Sequence, residues 1–263
     1  MIRQQVLDLY WFSGTGNTLL VVNAMAKVFA QAGWEVHLTA MTATYPTTIR
    51  PKGWVGLAFP VAVQTTYPLV WDFCESLALS RNKPIFMVDT MAGYSGAVVG
   101  PLREVVRARG YDPIGAREII MPFNLYPIRP SRQRNRHLVA RGQEQARQYA
   151  RELLEGCTRW GHIPILPDLL RWTCGSRLMW RWVAWTDRLL SVDKTRCVRC
   201  GLCSRLCPVG NLVLDPWPRY VGQCQQCMRC LSYCPQRALS LWGLPRAQYQ
   251  AVTADTLIEA SKL

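Results

Sequence analysis

The chain has 263 residues, 49% of them hydrophobic, and a formal net charge of +14. A length of this order suggests two domains, the larger able to bury a full core. No run of 18 apolar residues and no block of five or six like charges occurs, which argues against a transmembrane helix and a basic nucleic-acid tail.

In chain order, residues 6–12 form a short apolar run with strand character, followed directly by Ser13-Gly14-Thr15-Gly16-Asn17-Thr18. Residues 19–32 then read as a helix ended by Gly33. Further strands are expected at 34–41, 55–59, 85–89 and 118–123, with helices at 68–79, 97–110 and 131–155. Strand–helix alternation of this kind implies an α/β fold with a parallel sheet covered on both faces. The arginine-rich helix at 131–155 reads as a solvated face. From Trp160 to Leu190 the composition changes, with Trp172, Trp180, Trp182 and Trp185 interspersed with Arg171, Arg177, Arg181 and Arg188. Pro164 and Pro167 break any helix early, and one is expected at about 169–190. Interdomain or partner packing is the favoured role for this connector. Adsorption to a membrane surface is the alternative, because Trp with Arg is also an interfacial signature.

The Gly14-Thr15-Gly16 turn stands where a helix N-terminus offers free N–H groups and a positive dipole to an anion. Ser13, Thr15 and Thr18 add hydroxyls, and Asn17 can hold the turn. The third glycine of a dinucleotide fingerprint is replaced by Leu19, and no Gly-Lys-Ser/Thr follows as in a P-loop. What remains is an uncharged cradle suited to a monophosphate, for which FMN is the natural candidate.

Two cysteine runs follow near the C-terminus. Cys197, Cys200, Cys203 and Cys207 precede Pro208, and Cys224, Cys227, Cys230 and Cys234 precede Pro235, an exact repeat at an offset of 27 residues. The spacing C-x2-C-x2-C-x3-C-P is that of two-cluster [4Fe–4S] proteins, in which the fourth cysteine of each run serves the other cluster. One cluster is therefore expected on Cys197, Cys200, Cys203 and Cys234, and the second on Cys224, Cys227, Cys230 and Cys207. Zinc would need four ligands per ion and gives no reason for the third cysteine or the repeated Cys-Pro. Cys74, Cys157 and Cys174 lack partners at ligand spacing and are expected to be small buried hydrophobes.

The loop Ser13-Gly14-Thr15-Gly16-Asn17-Thr18 resembles the phosphate loop of flavodoxins. With the eight-cysteine module behind it, the whole chain resembles the flavodoxin–ferredoxin fusion proteins known as EFR-type ferrodoxins. The resemblance covers about 1–128 and 193–243. It implies a flavodoxin-like doubly wound sheet of order 2-1-3-4-5 with FMN at the carboxyl ends of the strands, and a small bacterial 2[4Fe–4S] ferredoxin-type α+β domain. The implied division is 1–155 flavodoxin-like domain, 156–192 connector, 193–243 ferredoxin domain and 244–263 tail.

Two further loops should then flank the flavin. Pro60, Val61, Ala62 and Tyr67 come from the first, and Thr90, Met91, Ala92, Gly93, Tyr94 and Gly96 from the second, with Tyr67 and Tyr94 as stacking candidates. Asn124, in a Pro-x-Asn-Tyr-like segment, is a candidate for the flavin edge or the interdomain boundary. Residues 60–67 contain neither Gly nor Asn, so no positive φ is expected there, and with it a weaker hold on half-reduced flavin than in a flavodoxin.

These readings converge on an electron-transfer flavo-iron–sulfur protein, cytoplasmic and suited to anaerobic metabolism. The alternative is an FMN-dependent reductase of a small molecule fed through the ferredoxin domain. The expected partner is a protein, either an acidic electron carrier or a dedicated client enzyme, and not a nucleic acid. No secretory signal is read in residues 1–12. The terminal Ser261-Lys262-Leu263 matches a peroxisomal address and is taken as coincidence beside clusters that suit a reducing cytoplasm.

Overall fold

The computed structural model describes residues 5–42, 48–93, 98–124, 131–161, 177–185, 189–241 and 248–261. Five strands form one parallel sheet: β1 (Val6–Trp11), β2 (Glu35–Ala40), β3 (Trp54–Pro60), β4 (Lys83–Met91) and β5 (Tyr111–Ile120), in the order 2-1-3-4-5. Helices α1 (Asn17–Gln31) and α4 (Arg132–Leu154) cover one face, and α2 (Pro68–Ser76) and α3 (Val99–Ala108) the other. This is the flavodoxin-like doubly wound fold expected from the sequence.

The alternation of β1 shows why both faces need cover. Leu7, Leu9 and Trp11 enter the core under α1 and α4, while Tyr10 and the following Phe12 enter the core under α2 and α3. Between them Asp8 is buried but satisfied. Its carboxylate accepts the N–H groups of Lys52 at 2.6 Å and Gly53 at 3.0 Å and meets His37 Nδ1 at 2.9 Å. Strand β1 is thus pinned to the chain entering β3.

The fifth strand begins seven residues earlier than the apolar run 118–123 suggests. Pro113 and Gly115 weaken the sequence signal, but β5 is an edge strand, where proline is tolerated. A register shift at Ile85/Phe86 accommodates the proline. Of the connector helix expected at 169–190, residues 177–185 are seen as α5 (Arg177–Trp185); 162–176 lie outside the described residues.

The C-terminal module pairs β6 (Leu190–Val192) with β9 (Leu239–Leu241) and β7 (Leu212–Leu214) with β8 (Pro218–Tyr220), both antiparallel. Two short helical turns, α6 (Leu202–Arg205) and α7 (Arg229–Tyr233), lie between them. The module does not stand apart. Leu206 and Tyr233 share one buried cluster with Leu9, Val22 and Phe29 of the larger domain. The final helix α8 (Ala254–Ser261) crosses back onto β2 and places Leu257, fully buried, in that same cluster.

Candidate functional site

The phosphate-loop candidates lie at the carboxyl end of β1, as the sequence suggests. Gly16 takes φ +101°, which only glycine adopts without strain, and its N–H donates to Ser13 Oγ at 3.0 Å. This turns the chain into α1 with no side chain capping the helix and no acidic residue in its first turn. The positive end of the helix is therefore left to an external anion.

Neighbouring polar groups are fixed by the protein itself. Asn124 Nδ2 donates to Thr15 Oγ1 at 2.9 Å, leaving the Thr15 hydroxyl proton to be donated outward. The hydroxyls of Thr18 and Thr90 bond each other at 2.8 Å. Asn17 is a hub: its Nδ2 donates to Pro122 O at 2.9 Å, and its Oδ1 accepts from Tyr249 Oη at 2.7 Å.

A cavity of about 450 Å³ opens over this loop, within the usual size of a cofactor site. Of the residues expected to bind cofactor, Ser13, Gly14, Thr15, Asn17, Thr18, Pro60, Val61, Ala62, Tyr67, Thr90, Met91, Ala92, Gly93 and Asn124 all line it. Gly16 supports the turn from behind, and Tyr94 and Gly96 lie outside the described residues. Met121, Pro122, Phe123, Trp180 and Val183 also line the cavity, together with Gln225, Gln226 and Met228 of the cysteine module. Met121, Pro122 and Phe123 adjoin Asn124 in the Pro-x-Asn-Tyr-like segment, whereas no local pattern marked the others, because each reaches the cavity through tertiary packing. Tyr67 is the one ionisable side chain among the described lining residues. Tyr67 is buried with its ring edge-on to Phe12, 5.1 Å between centroids, and tilted against Trp180 at 6.0 Å. The burial raises its phenol pKa. Beside the cavity, Asp89 is fully buried with neither carboxylate oxygen partnered. Burial first, then Glu118, pushes its pKa well above the usual carboxylate value.

The loop after β3 departs from expectation. Val63 and Gln64 have φ of 50° and 62°. They form a two-residue turn closed by reciprocal bonds between Ala62 and Thr65 at 2.8 and 2.9 Å. The absence of Gly and Asn did not prevent positive φ, because that hydrogen-bonded pair holds Val63 in a conformation a β-branched residue resists. The expectation of a weaker hold on half-reduced flavin loses its premise.

The eight cysteines line two cavities in crossed sets. Cys207, Cys224, Cys227 and Cys230 surround one, and Cys197, Cys200, Cys203 and Cys234 the other. The 27-residue repeat is written in the backbone too. Arg199 and Gln226, Gly201 and Met228, and Gly210 and Arg237 are matched pairs with positive φ. Asn211 N donates to Cys207 Sγ at 3.1 Å, and its counterpart Ala238 N to Cys234 Sγ at 3.2 Å. Among the described residues no three potential ligands converge as they would on a single metal ion. Burial and the neighbouring sulfurs push the Cys203 thiol up to about 11. Of the other cysteines Cys74 is buried as expected. Cys157 is exposed, a correction explained by its place just past the end of α4, and Cys174 lies outside the described residues.

The two kinds of site meet. A methyl carbon added to Gly14 would lie 2.4 Å from the carbonyl oxygen of Cys227, so only glycine permits this approach. Arg229, buried beside it, donates from Nε to Ser13 O at 2.9 Å and from Nη1 to Leu206 O at 3.2 Å, and stacks over Phe12 at 5.0 Å. Burial lowers its pKa, and the neighbouring Cys227 and Tyr233 work against that shift.

A strap of C-terminal residues closes the join. Ala251 N donates to Thr15 O at 2.8 Å, and Val252 packs against Gly16. Gln248 Nε2 donates to Leu231 O and Cys234 O at 3.1 and 2.7 Å, and Gln250 Nε2 to Ser232 O.

Comparison with known proteins agrees with this division. Residues 190–213 match the family described as "4Fe-4S binding domain". No curated protein matches the chain. Among solved structures, a flavodoxin of Streptococcus pneumonia is similar at 15% identity and a TM-score of 0.40, covering 57% of this chain and 98% of its own. The Megasphaera elsdenii flavodoxin is similar at 18% identity and a TM-score of 0.38, covering 55% and 98%. General stress protein 14 of Treponema denticola, described as a complex with FMN, is similar at 10% identity and 0.38, covering 57% and 99%. It is the 2-1-3-4-5 sheet order that defines the fold here. The chain therefore joins a flavodoxin-like domain to a ferredoxin-type 4Fe-4S domain. Among the described residues no helix is long and apolar enough to cross a membrane.

Proposed function

We propose that the chain is an electron-transfer flavo-iron–sulfur protein of the EFR-type fusion family, passing electrons between two [4Fe–4S] clusters and FMN, to or from a protein redox partner. In this reading 1–155 is the FMN-binding domain, 156–192 a connector, 193–243 the two-cluster domain and 244–263 the tail. FMN exchanges electrons singly or in pairs and each cluster exchanges one, so the pair of groups can split or collect electron pairs.

The residues present suit both groups. The uncapped N-terminus of α1 with Ser13, Thr15 and Thr18 would hold the FMN phosphate. Pro60, Val61, Ala62, Met91 and Ala92 would wall the flavin ring, with Tyr67 beneath them. Asn17 and Asn124 keep the loop in shape and its hydroxyl protons directed outward. The crossed cysteine sets would hold one cluster each, and the N–H groups of Asn211 and Ala238 would ease added negative charge on the sulfurs. Apart from the buried Tyr67, the described cavity wall carries no ionisable side chain, which suits a carrier better than an enzyme needing an acid or a base.

The observation that carries the reading is the contact of Cys227 with Gly14, which gives one cysteine cavity and the phosphate loop a common wall. Anaerobic isolation with iron, sulfide and flavin quantification tests it. About eight iron atoms and one FMN per chain are expected. In Cys200→Ser one cluster signal should vanish from the EPR spectrum while the flavin stays. Colourless protein, or iron without flavin, would refute it.

A further inference from the structure

The two cysteine cavities are not equivalent in position. The one lined by Cys227 and Cys230 is walled off by Arg229, Phe12 and the phosphate loop. The one lined by Cys197 and Cys200 is roofed by a loop that faces outward, with Val198 61% exposed and Arg199 and Cys200 exposed beside it.

That loop touches the β7–β8 hairpin. The Arg199 guanidinium lies 5.2 Å over the Trp217 ring, and Leu214 Cδ2 is 3.7 Å from where a methyl on Gly201 would stand. Leu214 and Trp217 thus make a small apolar centre under this loop, whose exposed Val198 precedes Arg199. Lys194, Arg199 and Arg219 lie beside it, with Asp215 in the same groove, and Arg196, Arg205 and Arg237 are exposed elsewhere in the module. The acids of residues 189–241 are Asp193 and Asp215. Asp193 is occupied by Arg196 at 3.5 Å and by the Thr195 hydroxyl at 2.6 Å.

We infer that this face is an electron port, a docking surface for an acidic protein that carries a one-electron centre. The inference rests on the cofactor reading above and adds where the partner sits and what charge it bears. An apolar centre flanked by more cations than acids is built for brief, steered encounters, since rim charges raise association rate more than affinity. The reaction is one electron and nothing else. The carrier would give up one electron to the cluster that Cys197, Cys200, Cys203 and Cys234 would hold, with no bond or proton changing, and the reverse would hold for outflow. The order along the chain is then port cluster, inner cluster, flavin.

Stopped-flow mixing of the anaerobic holoprotein with a reduced acidic 2[4Fe–4S] ferredoxin tests this, read as a second-order rate constant across ionic strength. The wild-type rate should fall about tenfold or more between roughly 0.01 and 0.3 M salt as the Debye length shrinks. Lys194→Glu/Arg219→Glu should lower the low-salt rate about tenfold and flatten the salt dependence. Arg199→Gln, checked for unchanged iron content and EPR signal, should do the same in part. Arg132→Glu/Arg141→Glu on α4 should leave the rate unchanged. Reduction by methyl viologen should be alike in all forms. A rate independent of salt, or equal loss in the α4 variant, overturns the port while leaving the cofactor reading intact. Absence of a cluster EPR signal in the wild type overturns both.

Discussion

Replacing Gly14 by alanine tests whether the two modules are locked together. The added carbon would lie 2.4 Å from the Cys227 carbonyl oxygen, about 1 Å inside ordinary non-bonded contact. The opposing atom is backbone and cannot swing aside. Opening the contact by about 1 Å would also carry the Arg229–Ser13 bond, now 2.9 Å, beyond the ~3.2 Å range of a good N–H···O interaction. That charge-assisted bond is worth about 1.5–3 kcal/mol, and overpacking costs about 1–3 kcal/mol. The two overlap, because relieving one is losing the other, so the net loss should be about 2–4 kcal/mol. For a chain of this size that lowers Tm by roughly 5–12 °C. Calorimetry on FMN-free protein with clusters intact is the assay, since it removes any contribution from flavin affinity. Gly161→Ala is the control: its added carbon meets nothing within 4 Å, and a change within about 0.5 kcal/mol is expected. If Gly14→Ala melts within about 1 °C of the parent, the modules are not locked at this contact.

Other perturbations give independent checks. Tyr249→Phe removes the donor to Asn17 Oδ1 at 2.7 Å; a loss of about 1 kcal/mol should weaken FMN binding about five- to tenfold by fluorescence titration, with iron content unchanged. Leu257→Ala empties a fully buried site on the returning helix and should cost about 2–5 kcal/mol in chemical denaturation. Val63→Asn places a residue tolerant of positive φ where Val63 has φ 50°, and Tm should rise by roughly 2–4 °C for about 1 kcal/mol of relieved strain. The hydrogen bonds of Asp8, then Glu35, raise the His37 pKa above 6.5. A raised folded value means that His37 contributes stability fully below pH 6.5 and loses it as pH rises through the higher value. The stability gap between wild type and His37→Gln should therefore be widest in acid and close above neutrality.

What the sequence disclosed was chemistry with fixed local spacing. A cubane dictates where its thiolates stand, so Cys197 to Cys234 were legible one by one, and the crossed sets line their cavities as expected. The Ser13–Thr18 loop was legible because an anion seat between strand and helix leaves little freedom in residue type. Illegible were features created only by folding. Val63 and Gln64 reveal positive φ through a hydrogen-bonded turn, not through composition. The beginning of β5 was hidden by Pro113 and Gly115, which an edge strand accepts. Trp180, Gln225, Met228 and Tyr249 reach the site across tens or hundreds of residues, and no periodicity records such distances.

The returning strap sets an order on assembly. Thr15, Gly16 and Asn17 are made more than two hundred residues before Tyr249, Ala251 and Val252, which hold them. The Ser13–Thr18 loop cannot reach its finished form until those residues are made, whatever its local propensity, and must wait through the slow closure of a loop of more than two hundred residues. The eight cysteines are made before the strap, so if they take up clusters as proposed, a chain starved of iron should also bind flavin poorly.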